Sequence, residues 1–155
     1  MKKKHFIVSM LCIITLSCGI NTSKNSHIST LPNGLEIDKR FIGKWKGSNN
    51  VSYGDIPTSS SWITEFKEDG TVSLDFVFVN LNTNDTTKYK ETGNWYVKDF
   101  GFEKVYYEFQ NSTQTLDSYH YEFKNNDEIY FKLKMSDSKI VPSDYEFTSY
   151  RLICF

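Results

Sequence analysis

From Phe41 to the C-terminus the chain alternates apolar and polar residues with a period of two, and turn-forming residues break the alternation at short intervals. A period of two sends successive side chains to opposite faces of a strand, so such a segment folds as half-buried β-structure and not as helix. In one stretch Val72, Leu74, Phe76 and Phe78 alternate with Thr71, Ser73 and Asp75; in another Ile129, Phe131, Leu133 and Met135 alternate with Glu128, Tyr130, Lys132 and Lys134. The pattern predicts eight strands, near 41–48, 60–67, 71–80, 87–98, 102–110, 116–124, 128–135 and 144–154. Links such as Glu68-Asp69-Gly70, Asn82-Thr83-Asn84-Asp85 and Asn125-Asn126-Asp127 are short enough to make hairpins, hence antiparallel neighbours. The longer gap at 49–59, with Gly54 and Pro57, reads as a loop over one end. Antiparallel strands with one wet face each hide their edges by closing into an up-and-down barrel or by splitting into a two-sheet β-sandwich. An aromatic content of 16% with only 3 Pro in 155 residues supports all-β structure.

The N-terminus has a different character. Lys2, Lys3 and Lys4 precede an apolar run from Phe6 to Leu16, the charged region and short apolar region of an export signal, too short to span a bilayer core of about 30 Å. Its end, Thr15-Leu16-Ser17-Cys18, resembles a bacterial lipobox, which implies cleavage before Cys18 and thioether lipidation of that cysteine. The implied organisation is a signal at 1–17, a lipidated Cys18 and flexible tether at 18–37, and a β-domain at 38–155. Gly19 in place of an acidic residue after the cysteine points to the outer membrane, facing the periplasm, in a host with two membranes. His27 falls in the tether, and Leu35 to Arg40 form a short helical turn before the first strand.

Catalytic and metal chemistry finds little support in the residues. A formal charge of −1 without long runs of either sign argues against nucleic acid as a partner. Of the 3 His, His5 lies in the signal and His27 in the tether, which leaves His120 on the wet face with Ser118 and Glu122. Cys154 has no histidine to activate it. The reading is therefore a non-enzyme with no metal, no cofactor and no catalytic residue, acting as a monomer.

Phe41-Ile42-Gly43-Lys44-Trp45-Lys46-Gly47 resembles the G-x-W opening strand of lipocalins. Together with Glu65-Phe66-Lys67-Glu68-Asp69-Gly70-Thr71, Gly93-Asn94-Trp95-Tyr96-Val97 and Tyr150-Arg151-Leu152, it is similar to the lipocalin-like domains of bacterial envelope lipoproteins of the Bacteroidetes type. The resemblance implies an eight-stranded lipocalin-like barrel whose closed end is sealed by Gly43, Trp45 and Arg151. Alternation independently places Trp45 and Arg151 inward on the first and last strands, which closure makes neighbours.

Two functional readings follow. In the first, the interior takes a small apolar or amphipathic ligand, lined by Trp62, Phe66, Leu74 and Phe76 from the first half of the domain. Tyr107, Phe109, Tyr121, Phe123, Phe131 and Phe147 line it from the second half. In the other, the interior is filled and the outer-face tyrosines Tyr106, Tyr130 and Tyr150, set among Lys104, Glu108, Lys132 and Lys134, meet a protein or glycan, as in an inhibitor or immunity-type binder.

Overall fold

A computed structural model describes residues 27–53, 55–99, 105–111, 115–137 and 144–153. Cys18 and residues 1–17, expected to be a lipidation site and an export signal, lie outside these residues, as do Lys104 and Cys154. The strand at 105–111 is described through its backbone alone, so the side chains of Tyr106, Tyr107 and Phe109 lie outside the description as well.

The described strands are β1 (Ile28–Thr30), β2 (Glu36–Asp38), β3 (Gly43–Tyr53), β4 (Ile56–Phe66), β5 (Thr71–Asn80), β6 (Thr86–Asp99), β7 (Val105–Asn111), β8 (Leu116–Asn125), β9 (Glu128–Ser136) and β10 (Glu146–Arg151). A 3-10 turn, Lys39–Phe41, joins β2 to β3. Each strand from β3 to β10 pairs antiparallel with the next, and β10 pairs back onto β3, with Arg151 opposite Trp45. The protein is thus an antiparallel up-and-down β-barrel of eight consecutive strands, and the sandwich alternative is set aside.

Closure is uneven along the barrel axis. β6 meets β5 over Thr86 to Asn94 but meets β7 only over Gly93 to Asp99. β3 meets β4 along its whole length but meets β10 only at Trp45, Lys46 and Gly47. The ring is therefore tight at the end holding Trp45 and Trp95, and the β3–β4 and β5–β6 hairpins run on past it at the other.

Three expectations are corrected. Residues 49–59 are not a loop: Asn49 pairs with Ser60, Val51 with Thr58 and Tyr53 with Ile56, so two strands of 11 residues continue to a tight hairpin. Here the inward residues are Thr58 and Ser60, both buried, and a strand that buries hydroxyls gives no hydropathy alternation to read. Residues 27–37, expected to lie in the tether, belong to the fold. β1 and β2 form a hairpin that docks on β6 through Glu36 opposite Val97, and Ile37 is buried in the core. Strands of three residues carry too few periods to be recognised. Finally, a β-bulge between Ser118 and Tyr119 buries both, so Ser118 leaves the wet face to which alternation assigns it.

Candidate functional site

The tight end is sealed by aromatic rings and two arginines. Trp45, with no exposed surface, donates its indole N–H to the carbonyl of Phe41 at 2.6 Å. The Arg151 guanidinium lies 4.2 Å from the centre of the Trp45 ring. It donates through Nη1 to the Ile42 carbonyl at 3.0 Å, through Nη2 to the Arg40 carbonyl at 2.7 Å and through Nε to the Asn126 carbonyl at 3.1 Å. Asp127 completes an ion pair at 3.3 Å. The planar fork thus ties the turn after β2 and the β8–β9 hairpin to the last strand, while its face covers the indole. Gly43 is the residue that allows this approach. Its φ of +119° is left-handed, and a Cβ there would stand 3.3 Å from Arg151 Nη1.

Phe41, also fully buried, plugs the barrel axis behind Trp45. Its ring centroid is 4.7 Å from that of Tyr121, 5.1 Å from those of Phe66 and Phe123, 5.4 Å from Trp95 and 6.0 Å from Phe131. Beneath it lies a polar triad that sequence reasoning missed. The buried Asp38 carboxylate accepts from Arg40 Nε at 3.0 Å and pairs with its Nη2, and it accepts the Tyr121 hydroxyl at 3.1 Å. The Asp38 hydrogen bond raises the Arg40 pKa further above its ordinary value against the opposing effect of burial, while burial and then the Asp38 charge push Tyr121 far up, so its hydroxyl stays protonated. Arg40 also stacks over the Phe123 ring at 4.2 Å. Tyr121, Phe66, Phe123 and Phe131, read from sequence as ligand-lining, are therefore core residues of the sealed end and its floor.

The middle of the barrel is also packed. Phe147 stacks on Phe131 at 4.7 Å and meets Trp62 edge-on at 5.2 Å and Tyr119 at 5.6 Å. The Trp62 ring lies where a Cβ of Gly47 would be, 2.3 Å from Cζ2, so the second glycine of Gly43-x-Trp45-x-Gly47 leaves the space this indole fills.

At the other end the inward aromatics are left partly open. Phe76 lies opposite Tyr89, with ring centroids 6.4 Å apart, and stacks on Phe78 at 5.7 Å. Phe76, Phe78 and Leu74 are half-buried, and Tyr89 is 51% exposed although the register turns it inward. On the adjoining strand, beside Phe78, Ser60 Oγ donates to the Asn49 carbonyl at 3.1 Å and Thr58 Oγ1 to the Ile56 carbonyl at 3.2 Å. That wall is small and polar, and its hydroxyl protons are committed.

Of the residues expected to line a ligand, Trp62, Leu74, Phe76 and Phe147 face this open half. Phe78 and Tyr89 join them. Tyr89 stands in the sequence among Thr87, Lys88 and Lys90, where it signals only a wet strand; its inward position follows from pairing with Phe76. Tyr130 and Tyr150 point outward, Tyr150 being exposed. Among the described residues no three His, Cys, Asp or Glu side chains converge as a metal site.

No model of a known protein family matches the chain, and no curated protein matches it. Among solved structures, a de novo designed fluorescence-activating β-barrel is similar, with 13% sequence identity and a TM-score of 0.42 over 74% of this chain and 95% of that one.

Proposed function

We propose that this protein is a non-catalytic binding protein of the bacterial envelope, anchored through a lipid on Cys18, whose barrel takes a small amphipathic guest at its open end. The observation that carries the binding reading is the contiguous set of Phe76, Phe78 and Tyr89, on the inner face but partly exposed, above a floor of Trp62 and Phe147. Aromatic surface turned inward and still reachable by water gains free energy when an apolar body covers it, at about 25 cal/mol per Å². Asn49, half-buried on the inner face of β3, suits the polar part of such a guest. With the sealed half filled by side chains, the guest is a small one, held in the upper half of the barrel.

The test is uptake of 11-(dansylamino)undecanoic acid, read by energy transfer from tryptophan. Wild type is expected to bind it with saturation, and Phe76→Ala or Tyr89→Ala to weaken binding by about tenfold, equivalent to about 1.4 kcal/mol. Absence of uptake by the folded wild type, or uptake unchanged in both variants, sinks the reading. Anchoring is tested separately. Cys18→Ala is expected to move the protein from the membrane to the soluble fraction, and unchanged retention would refute lipidation.

A further inference from the structure

The outer face carries a second recess, which at its inner end reaches Trp62 and Phe147 and so borders the floor of the guest site proposed above. Where β3 and β10 part, an open groove of ≈ 850 Å³ crosses the sheet from β9 to β5. Register fixes its outer part as two rows of outward side chains, about 7 Å apart along the strands, while the inward-facing Gly47, Trp62 and Phe147 line its depth. One row is Tyr150, Lys46, Ile63 and Asp75, each opposite the next on successive strands. The other runs from Tyr130 and Thr148 across the seam to Ser48, Ser61 and Val77.

We propose that this groove binds a neutral oligosaccharide. Tyr150 and Ile63 are exposed apolar surfaces, 49% and 43% open, at either side of Lys46 and beside a row of small hydroxyl-bearing residues. Tyr130 is already fixed in place, because its hydroxyl donates to Glu146 at 2.6 Å and Lys124 Nζ sits 5.5 Å over its ring. A pyranose has this same division, with C–H faces that lie on aromatic rings and a rim of hydroxyls that both donate and accept. The groove supplies Ser48, Ser61 and Thr148 for either role and Lys46 as donor. An ordered ring loses little entropy on binding.

Other occupants fit less well. Among the described residues that line the groove the one cation is Lys46, with Asp75 and Glu146 in the same lining, so the groove offers no cluster of positive charge for an anionic chain. A protein anchor wants a desolvated pocket closed around one large side chain, whereas this recess is an open groove.

The experiment is isothermal titration of the folded domain with cellohexaose, chitohexaose and maltohexaose at millimolar concentration. At least one is expected to bind, with Tyr150→Ala weakening it at least about tenfold and Tyr150→Trp retaining it. Phe76→Ala should leave it unchanged, and Tyr150→Ala should leave dansyl fatty acid uptake unchanged, so the two sites fail or stand separately. The proposal is overturned if none of the three sugars binds, if binding survives Tyr150→Ala, if Phe76→Ala abolishes it, or if Tyr150→Ala instead releases a co-purifying protein.

Discussion

Strand β6 carries Trp95 and Tyr89 on the same inner face, six residues apart, with opposite outcomes. Trp95 has no exposed surface and donates its indole N–H to the Lys67 carbonyl at 3.1 Å, whereas Tyr89 is 51% exposed. Both rings have aromatic neighbours, so aromatic content does not make the difference. At Trp95 the strand is flanked by β7 and by the docked β1–β2 hairpin, with Phe41 closing the axis 5.4 Å away. At Tyr89 it has β5 on one side and no β7 partner among the described residues. A barrel end is sealed by elements that cross its axis, and the strands by themselves leave it open.

The largest expected effect breaks the sealed end directly. Trp45→Ala leaves a cavity beneath Arg151 and is expected to destabilise by about 3 to 5 kcal/mol in urea denaturation, while Phe76→Ala at the open end loses only about 1 to 2 kcal/mol. Equal losses at the two positions would mean that both ends are packed alike. Next comes the buried triad. Asp38→Ala leaves Arg40 and the Tyr121 hydroxyl without their acceptor, and a loss of about 2 to 4 kcal/mol is expected, reduced because Arg40 is partly exposed. Here Asp38→Asn, which keeps an acceptor but not the charge, should fall between Ala and wild type.

Arg151→Ala removes the stacked guanidinium and its carbonyl tethers and should lose about 1 to 3 kcal/mol. Combined with Trp45→Ala the loss should be smaller than the sum, since each change removes the same contact. Simple additivity would show that Arg151 acts through the Ile42 and Arg40 carbonyls alone. The smallest effect belongs to Asp117 on β8, whose pKa burial raises despite hydrogen bonds from Ser136 and Tyr119. The folded state then holds this proton more tightly than the unfolded chain, so stability should fall as pH rises from the ordinary carboxylate pKa through the raised one. In Asp117→Asn that portion of the pH dependence should vanish, and a profile identical to wild type would show that the carboxyl is solvated.

Alternation made most of the barrel legible. Val72, Phe131 and Leu133 lie inward because each belongs to a strand whose apolar residues recur every second position. The inward placing of Trp45 and Arg151 followed from the same count, and their meeting from closure of a meander. What escaped had a physical reason in each case. Thr58 and Ser60 are inward but hydroxylic, so the β3–β4 hairpin looked like a loop. The bulge at Ser118 adds a residue to one strand and shifts the faces beyond it. Asp38 and Arg40 adjoin a segment that reads as a polar tether, and nothing local marks them as the floor of a core.

The sequence by itself determined that strands form, where most of them turn, and which side chains share a face, because those properties depend on neighbours one or two residues away. Tertiary structure decided which end of the barrel is sealed. That required Phe41 to swing across the axis and Tyr121, 83 residues from Asp38, to share its carboxylate. It also required β10 to part from β3 after Gly47. Contacts between residues so distant in the chain are fixed by how the strands close on one another, and no local pattern encodes that closure.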